Sequence, residues 1–126
     1  MHTEIHRREV DSLRRTMKAL HLIVAETDAD LRYVWIENPH PDFDAAEVIG
    51  RRDDELISGP EAEPLMALKR QVLAQQRPDS RVITVRRSDG DRSYSVMAYP
   101  ILETDEQVRA VLTVGFSSAS PPADDR

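Results

Sequence analysis

The chain has 126 residues, enough for one compact domain and not for two. Hydrophobic residues make up 40%, charged residues 32%, and the formal net charge is −6, which suits a small soluble globular domain and opposes a nucleic-acid or anionic-membrane partner. There is no cysteine, which excludes a disulfide frame, a thiolate zinc site, a thiol nucleophile and a thiol-linked chromophore.

The amino terminus MHTEIHRREVDS has charges but no apolar segment, so it does not read as a signal peptide. No apolar run approaches the ~20 residues of a membrane span, and a cytoplasmic location is the expectation. Residues 4 to 20 read as a helix. Val10, Leu13, Met17 and Leu20 are spaced three, four, three, the a/d seam of a heptad, with Arg7, Arg8, Arg14, Arg15 and Lys18 around it. Two heptads are too few to stand alone, so the seam must pack on this domain or on a second copy.

His21–Glu26 and Leu31–Glu37 read as two strands of a hairpin across the turn Thr27-Asp28-Ala29-Asp30. The second strand carries Trp35, the single tryptophan, and stops at Asn38-Pro39. From Pro39 to Leu56 the chain stops and starts. Asp42 or Asp44 is suited to cap a short helical turn, Gly50 to end one, and Asp53 or Asp54 to start another. Residues 60 to 76 form the clearest helix, with Pro60, Pro64, Glu61 and Glu63 at its start and Leu65, Leu68, Val72 and Leu73 on one face. Pro78 ends it. The period then changes to two. Residues 81–87, 92–101 and 107–117 read as strands, joined by a tight turn at Ser88-Asp89-Gly90 and another at 103–106. The tail 118–126 has the composition of a disordered end.

This order predicts an α+β domain: a five-stranded antiparallel sheet, helices on one face and the N-terminal amphipathic helix on the other. Val96 and Ala98 alternate with Met97, Tyr99 and Ile101, so both faces of the sheet need cover.

The same order resembles the PAS domain, and the motifs extend the likeness to the sensory PAS domains of bacterial histidine kinases, notably the His-Trp-Glu subfamily. Leu31-Arg32-Tyr33 to Trp35 and Asn38-Pro39 resemble that family's second strand and its exit. Val48-Ile49-Gly50-Arg51 is similar to its hydrophobic-hydrophobic-Gly-basic step, Asp53 to Leu56 to its acidic element, and Pro100-Ile101 to its fourth-strand ending. Val108 to Val114 resembles the last strand, although Ala110 stands where that strand usually has Gly. The family's closing Asp-Ile-Thr falls on Ser117-Ser118-Ala119, and a polar, Pro-rich tail follows instead of a helix into an effector. The division expected is a helix at 1–20, a PAS core at 21–117 and a tail at 118–126.

The resemblance implies sensing within two-component signal transduction, relayed to a histidine kinase or another effector. Without cysteine, neither a flavin adduct nor a coumaroyl chromophore has its attachment point. Haem lacks a histidine on helix 60–76, and His2, His6, His21 and His40 form no ligand-spaced pair, so no cofactor or metal is expected. A non-covalent ligand would sit between sheet and middle helices against Val34, Ile36, Met66, Leu73, Val85, Tyr94 and Val96, residues that equally suit a plain core. No Arg or Lys stands out as buried, so a carboxylate ligand has no evident anchor, and His40 is expected to be exposed. His6-Arg7 has a faint resemblance to a kinase phosphoacceptor pair, but the Asn that follows in that motif is missing. No carboxylate pair or phosphate loop marks catalysis. The stronger feature is the seam: with Met97, Tyr99 and Ile101, it makes Val10, Leu13, Met17 and Leu20 a candidate homodimer interface.

Overall fold

A computed structural model describes residues 2–102 and 108–117, with side chains from 7 to 102 and from 110 to 117. The expected turn at 103–106, the tail from 118 and the side chains of His2 and His6 lie outside the described residues. Nine elements follow in order: α1 (His2–Ala19), β1 (Leu22–Asp28), β2 (Tyr33–Glu37), α2 (Ala45–Val48), α3 (Asp53–Leu56), α4 (Ala62–Gln75), β3 (Asp79–Arg87), β4 (Gly90–Leu102) and β5 (Val108–Ser117). The strands form one antiparallel sheet in the order β2-β1-β5-β4-β3. The last strand therefore lies in the middle, beside the first.

Local signals explain the ends of the elements. Asp44 caps α2 by accepting the Ala46 N–H at 3.0 Å. Before α3, the Arg52 N–H donates to Glu55 Oε1 at 3.0 Å. Gln76 takes the left-handed conformation that closes α4, its N–H donating to Val72 O, and Pro78 prevents continuation. Gly90, with φ +115°, lets the β3–β4 connection turn within two residues.

The core lies between the inner sheet face and the middle helices. Leu68 and Val72 of α4 pack on Ile83, Val85, Val96 and Val111. Each such side chain contributes about 1.5–3 kcal/mol by leaving water. The outer sheet face is treated differently. α1 meets the sheet chiefly at β1, and Arg14 pairs with Glu37 beside it. Trp35, Val82, Met97 and Phe116 stay exposed on that face. The helix thus leaves uncovered much of the face it was expected to roof. Along its seam, the a positions Val10 and Met17 are half-buried, while the d positions Leu13 and Leu20 are 62% and 59% exposed.

Candidate functional site

Under the middle helices lies a cavity of about 100 Å³. Its walls are mostly apolar, with Ile36 from β2, Ile57 after α3, Leu65 from α4 and Val85, Tyr94 and Val96 from the sheet. Of the residues expected to line it, Ile36, Val85, Tyr94 and Val96 do so. Met66 is buried and Leu73 packs against the core, both away from the cavity. Val34 points outward and is 45% exposed. The reason is a bulge: Glu26 pairs with Trp35 and Thr27 with Tyr33, so Val34 is the extra residue. Tyr33 and Ile36 consequently both face inward, and Trp35 lies on the outer face, donating its indole N–H to Glu26 Oε1 at 2.8 Å.

Two polar groups interrupt the apolar wall. The first is a closed triad. Lys69 of α4 is 0% exposed, against the expectation that no basic residue is buried. Its ammonium donates to Asp53 Oδ2 at 2.7 Å and to Tyr33 Oη at 3.1 Å, and lies 4.3 Å from the centre of the Tyr33 ring. The Tyr33 hydroxyl donates to Asp53 Oδ1 at 2.6 Å. Burial pushes Lys69 below its ordinary pKa, opposed by Asp53. Burial and then the Asp53 charge push Tyr33 well above its own, so its hydroxyl stays protonated. The triad ties α4 and the start of α3 to β2.

The second group sits at the other end of the inner face. Arg87, the last residue of β3, follows Ile83 and Val85 in facing inward. Its guanidinium lies 5.2 Å from the ring centres of Phe43 and Tyr94, and its Nε–H donates to Tyr94 Oη at 3.2 Å. His40 is beside it. Expected to be exposed, it is 9% exposed. The loop bearing it is held down by Asp42, which accepts from Ser88 N and Oγ at 2.9 and 2.5 Å. The Asp42 N–H donates to His40 Nδ1 at 3.0 Å, which places the imidazole proton on Nε2. Burial first, then the Arg87 charge, lower the His40 pKa, so the ring is neutral near pH 7.

Asn38 settles what ends β2. With φ +61°, it turns the chain, and its Nδ2 donates to Met17 O at 3.2 Å and Leu22 O at 2.7 Å. One side chain thus joins the exit of β2 to the end of α1 and the start of β1. Among the described residues there is no group of three or more His, Asp or Glu suited to a metal, and no helix is long and apolar enough to cross a membrane.

A family model described as the PAS fold matches residues 17–116. The chain belongs to the PAS-fold family. A sensory box sensor histidine kinase from Vibrio cholerae superposes with a TM-score of 0.67 at 13% identity, over 95% of this chain and 100% of that one. A VqmA–ligand–DNA complex from Vibrio cholera superposes with a TM-score of 0.70 at 15% identity, over 84% of this PAS chain and 50% of that one. In sequence, the chain is 33% identical over 69 residues to a probable histidine kinase 1 of Oryza sativa subsp. indica, covering 55% of this chain and 7% of the relative. The match to that kinase therefore concerns a small part of its length. PAS domains are generally sensory modules rather than catalysts, and this chain is a PAS signalling domain related to those of sensor kinases.

Proposed function

We propose that this PAS domain is a non-catalytic, cytoplasmic signalling module that works as a homodimer and passes a signal to a histidine kinase or another effector. The observation that carries the reading is the half-covered α1. Val10 and Met17 are half-buried, whereas Leu13 and Leu20 on the same seam are exposed beside a sheet face with Met97 and Phe116 uncovered. Large apolar side chains gathered in this way favour a partner, and a heptad seam is complementary to its own copy. Residues 1–20 would then serve as the dimerisation helix, with Met97, Tyr99 and Ile101 completing the interface, and 21–117 as the sensory core. The net charge of −6 argues against nucleic acid as a partner of this domain. Light scattering on wild type and Leu13→Glu tests the reading. A wild-type dimer and a monomeric variant are expected; monomers in both would overturn it.

A second reading has its own observation. The cavity of about 100 Å³ beneath the sheet, with mixed apolar and polar walls, suits a small non-covalent ligand. Filling it would bias the contact between helix and sheet, which is how a sensor couples occupancy to an interface. Mass spectrometry of protein purified from cells tests this. A co-purified small molecule is expected, and its absence from native preparations counts against the sensor.

A further inference from the structure

The two cations of the inner face differ in one respect. Lys69 is closed off by Asp53, at 2.7 Å. Arg87 is not: among the described residues no carboxylate lies within 4.0 Å of it, and its one hydrogen bond uses Nε, toward Tyr94. Its two terminal nitrogens have no acceptor among these residues, while the rings of Phe43 and Tyr94 lie beside the guanidinium. The nearby acids are occupied elsewhere, Asp42 by Ser88 and Asp89 by Arg92 at 2.7 Å. We propose that Arg87 is the anion-binding residue of this cavity, and that the ligand is a small monocarboxylate with an apolar body. This rests on the small-molecule sensor reading and names its ligand class.

Each part of the ligand follows from a wall of the site. A guanidinium with both terminal NH2 groups free matches the two oxygens of a carboxylate. The other cations near the site are already paired, Lys69 with Asp53 and Arg92 with Asp89, so a second negative charge would meet no free cation among the described residues; dicarboxylates and phosphate monoesters are therefore disfavoured. The rest of the cavity, from Ile36 to Leu65 and Val96, asks for an apolar body. An apolar cavity of roughly 150 Å³ holds benzene, so this one, at about 100 Å³, admits at most a single ring, and benzoate sets the upper limit of size. The Tyr94 hydroxyl, accepting from Arg87, retains its own proton to donate to the bound anion. The Arg87 charge reaches the neighbouring ring of His40, where, after burial, it is the next cause that lowers proton affinity.

Benzoate and benzamide have nearly the same shape and differ in charge. Titrating each into isotope-labelled protein and following amide shifts by NMR tests the assignment. Benzoate is expected to shift residues of the inner face, such as Ile36, Val96 and Gly115, and to bind at least about tenfold more tightly than benzamide. In Arg87→Met the two probes should bind within about twofold of each other, and Arg87→Lys, which keeps the charge but loses the fork, should fall between. The dispersion of each variant's spectrum verifies its fold. Equal binding of both probes to wild type overturns the role of Arg87 and leaves the sensor reading intact. No shift of cavity residues by either probe overturns both, and shifts confined to the basic residues of α1 overturn the site.

Discussion

Replacing Lys69 by Met removes an ammonium while keeping nearly the length and volume of the side chain. Asp53 is then left buried with Tyr33 as its one side-chain hydrogen-bond donor among the described residues. Breaking one side of a buried pair costs about 3–5 kcal/mol, a large share of the about 5–15 kcal/mol that holds a domain together. Asp53→Asn strands the ammonium instead. That group can escape by losing its proton, which from an ordinary pKa of 10.5 costs at most about 5 kcal/mol at pH 7. The double variant leaves no charge to desolvate, so its loss should fall short of the summed single losses by about 2 kcal/mol. Urea denaturation of the wild type, both singles and the double variant measures this cycle, with a constant m-value indicating a common unfolded state. Single losses below about 1 kcal/mol, the scale of a surface pair, or strict additivity, would refute the view that these three side chains act as one buried unit.

Asn38→Gly should cost about 1–2 kcal/mol through the two lost hydrogen bonds, because glycine accepts the positive φ. Asn38→Ala should cost about 1 kcal/mol more through backbone strain, and in both variants hydrogen exchange should quicken in the last turn of α1; unchanged exchange there would contradict the tie. The folded chain refuses a proton at His40 that the unfolded chain accepts at pH 6.5, so stability falls as pH drops from 6.5 through the lowered value, with Asp42 and Asp89 titrating below that window. His40→Gln should flatten that part of the stability curve, and equal slopes in both proteins would show that burial of this ring is immaterial. Tyr33→Phe removes the donor to Asp53 and the acceptor for Lys69, and should lower stability by about 1–3 kcal/mol in thermal or urea unfolding; a neutral result would show the hydroxyl is dispensable.

Much of the architecture was legible because it rests on local rules. The change from a 3.6-residue to a two-residue period at Pro78, the cap at Asp44 and the glycine turn at Gly90 all act within a few residues. What escaped depended on distant partners or on broken periodicity. Strict alternation groups Val34 with Ile36, but the bulge at Val34 breaks the alternation, and nothing local marks it. His40 between two prolines reads as exposed, and it is buried because Asp42 reaches Ser88, 46 positions away. Two signals were available in the sequence. Lys69 lies four residues after Leu65 and three before Val72, on the apolar face of α4, where a charge requires an internal partner. Arg87 continues the inward parity of Ile83 and Val85, so alternation alone places it against the cavity.

The homodimer is the claim on which the proposed function depends most, and the absence of native cysteine makes it directly accessible. Leu13→Cys and Leu20→Cys place a thiol on the exposed half of the seam, and Arg15→Cys places one on the opposite side of α1. Treatment of each with a short bismaleimide, followed by denaturing electrophoresis at several protein concentrations, reads proximity between copies. The account predicts a covalent dimer from the seam positions at low concentration and little from Arg15→Cys. Equal cross-linking at all three positions, or none at either seam position, would contradict it.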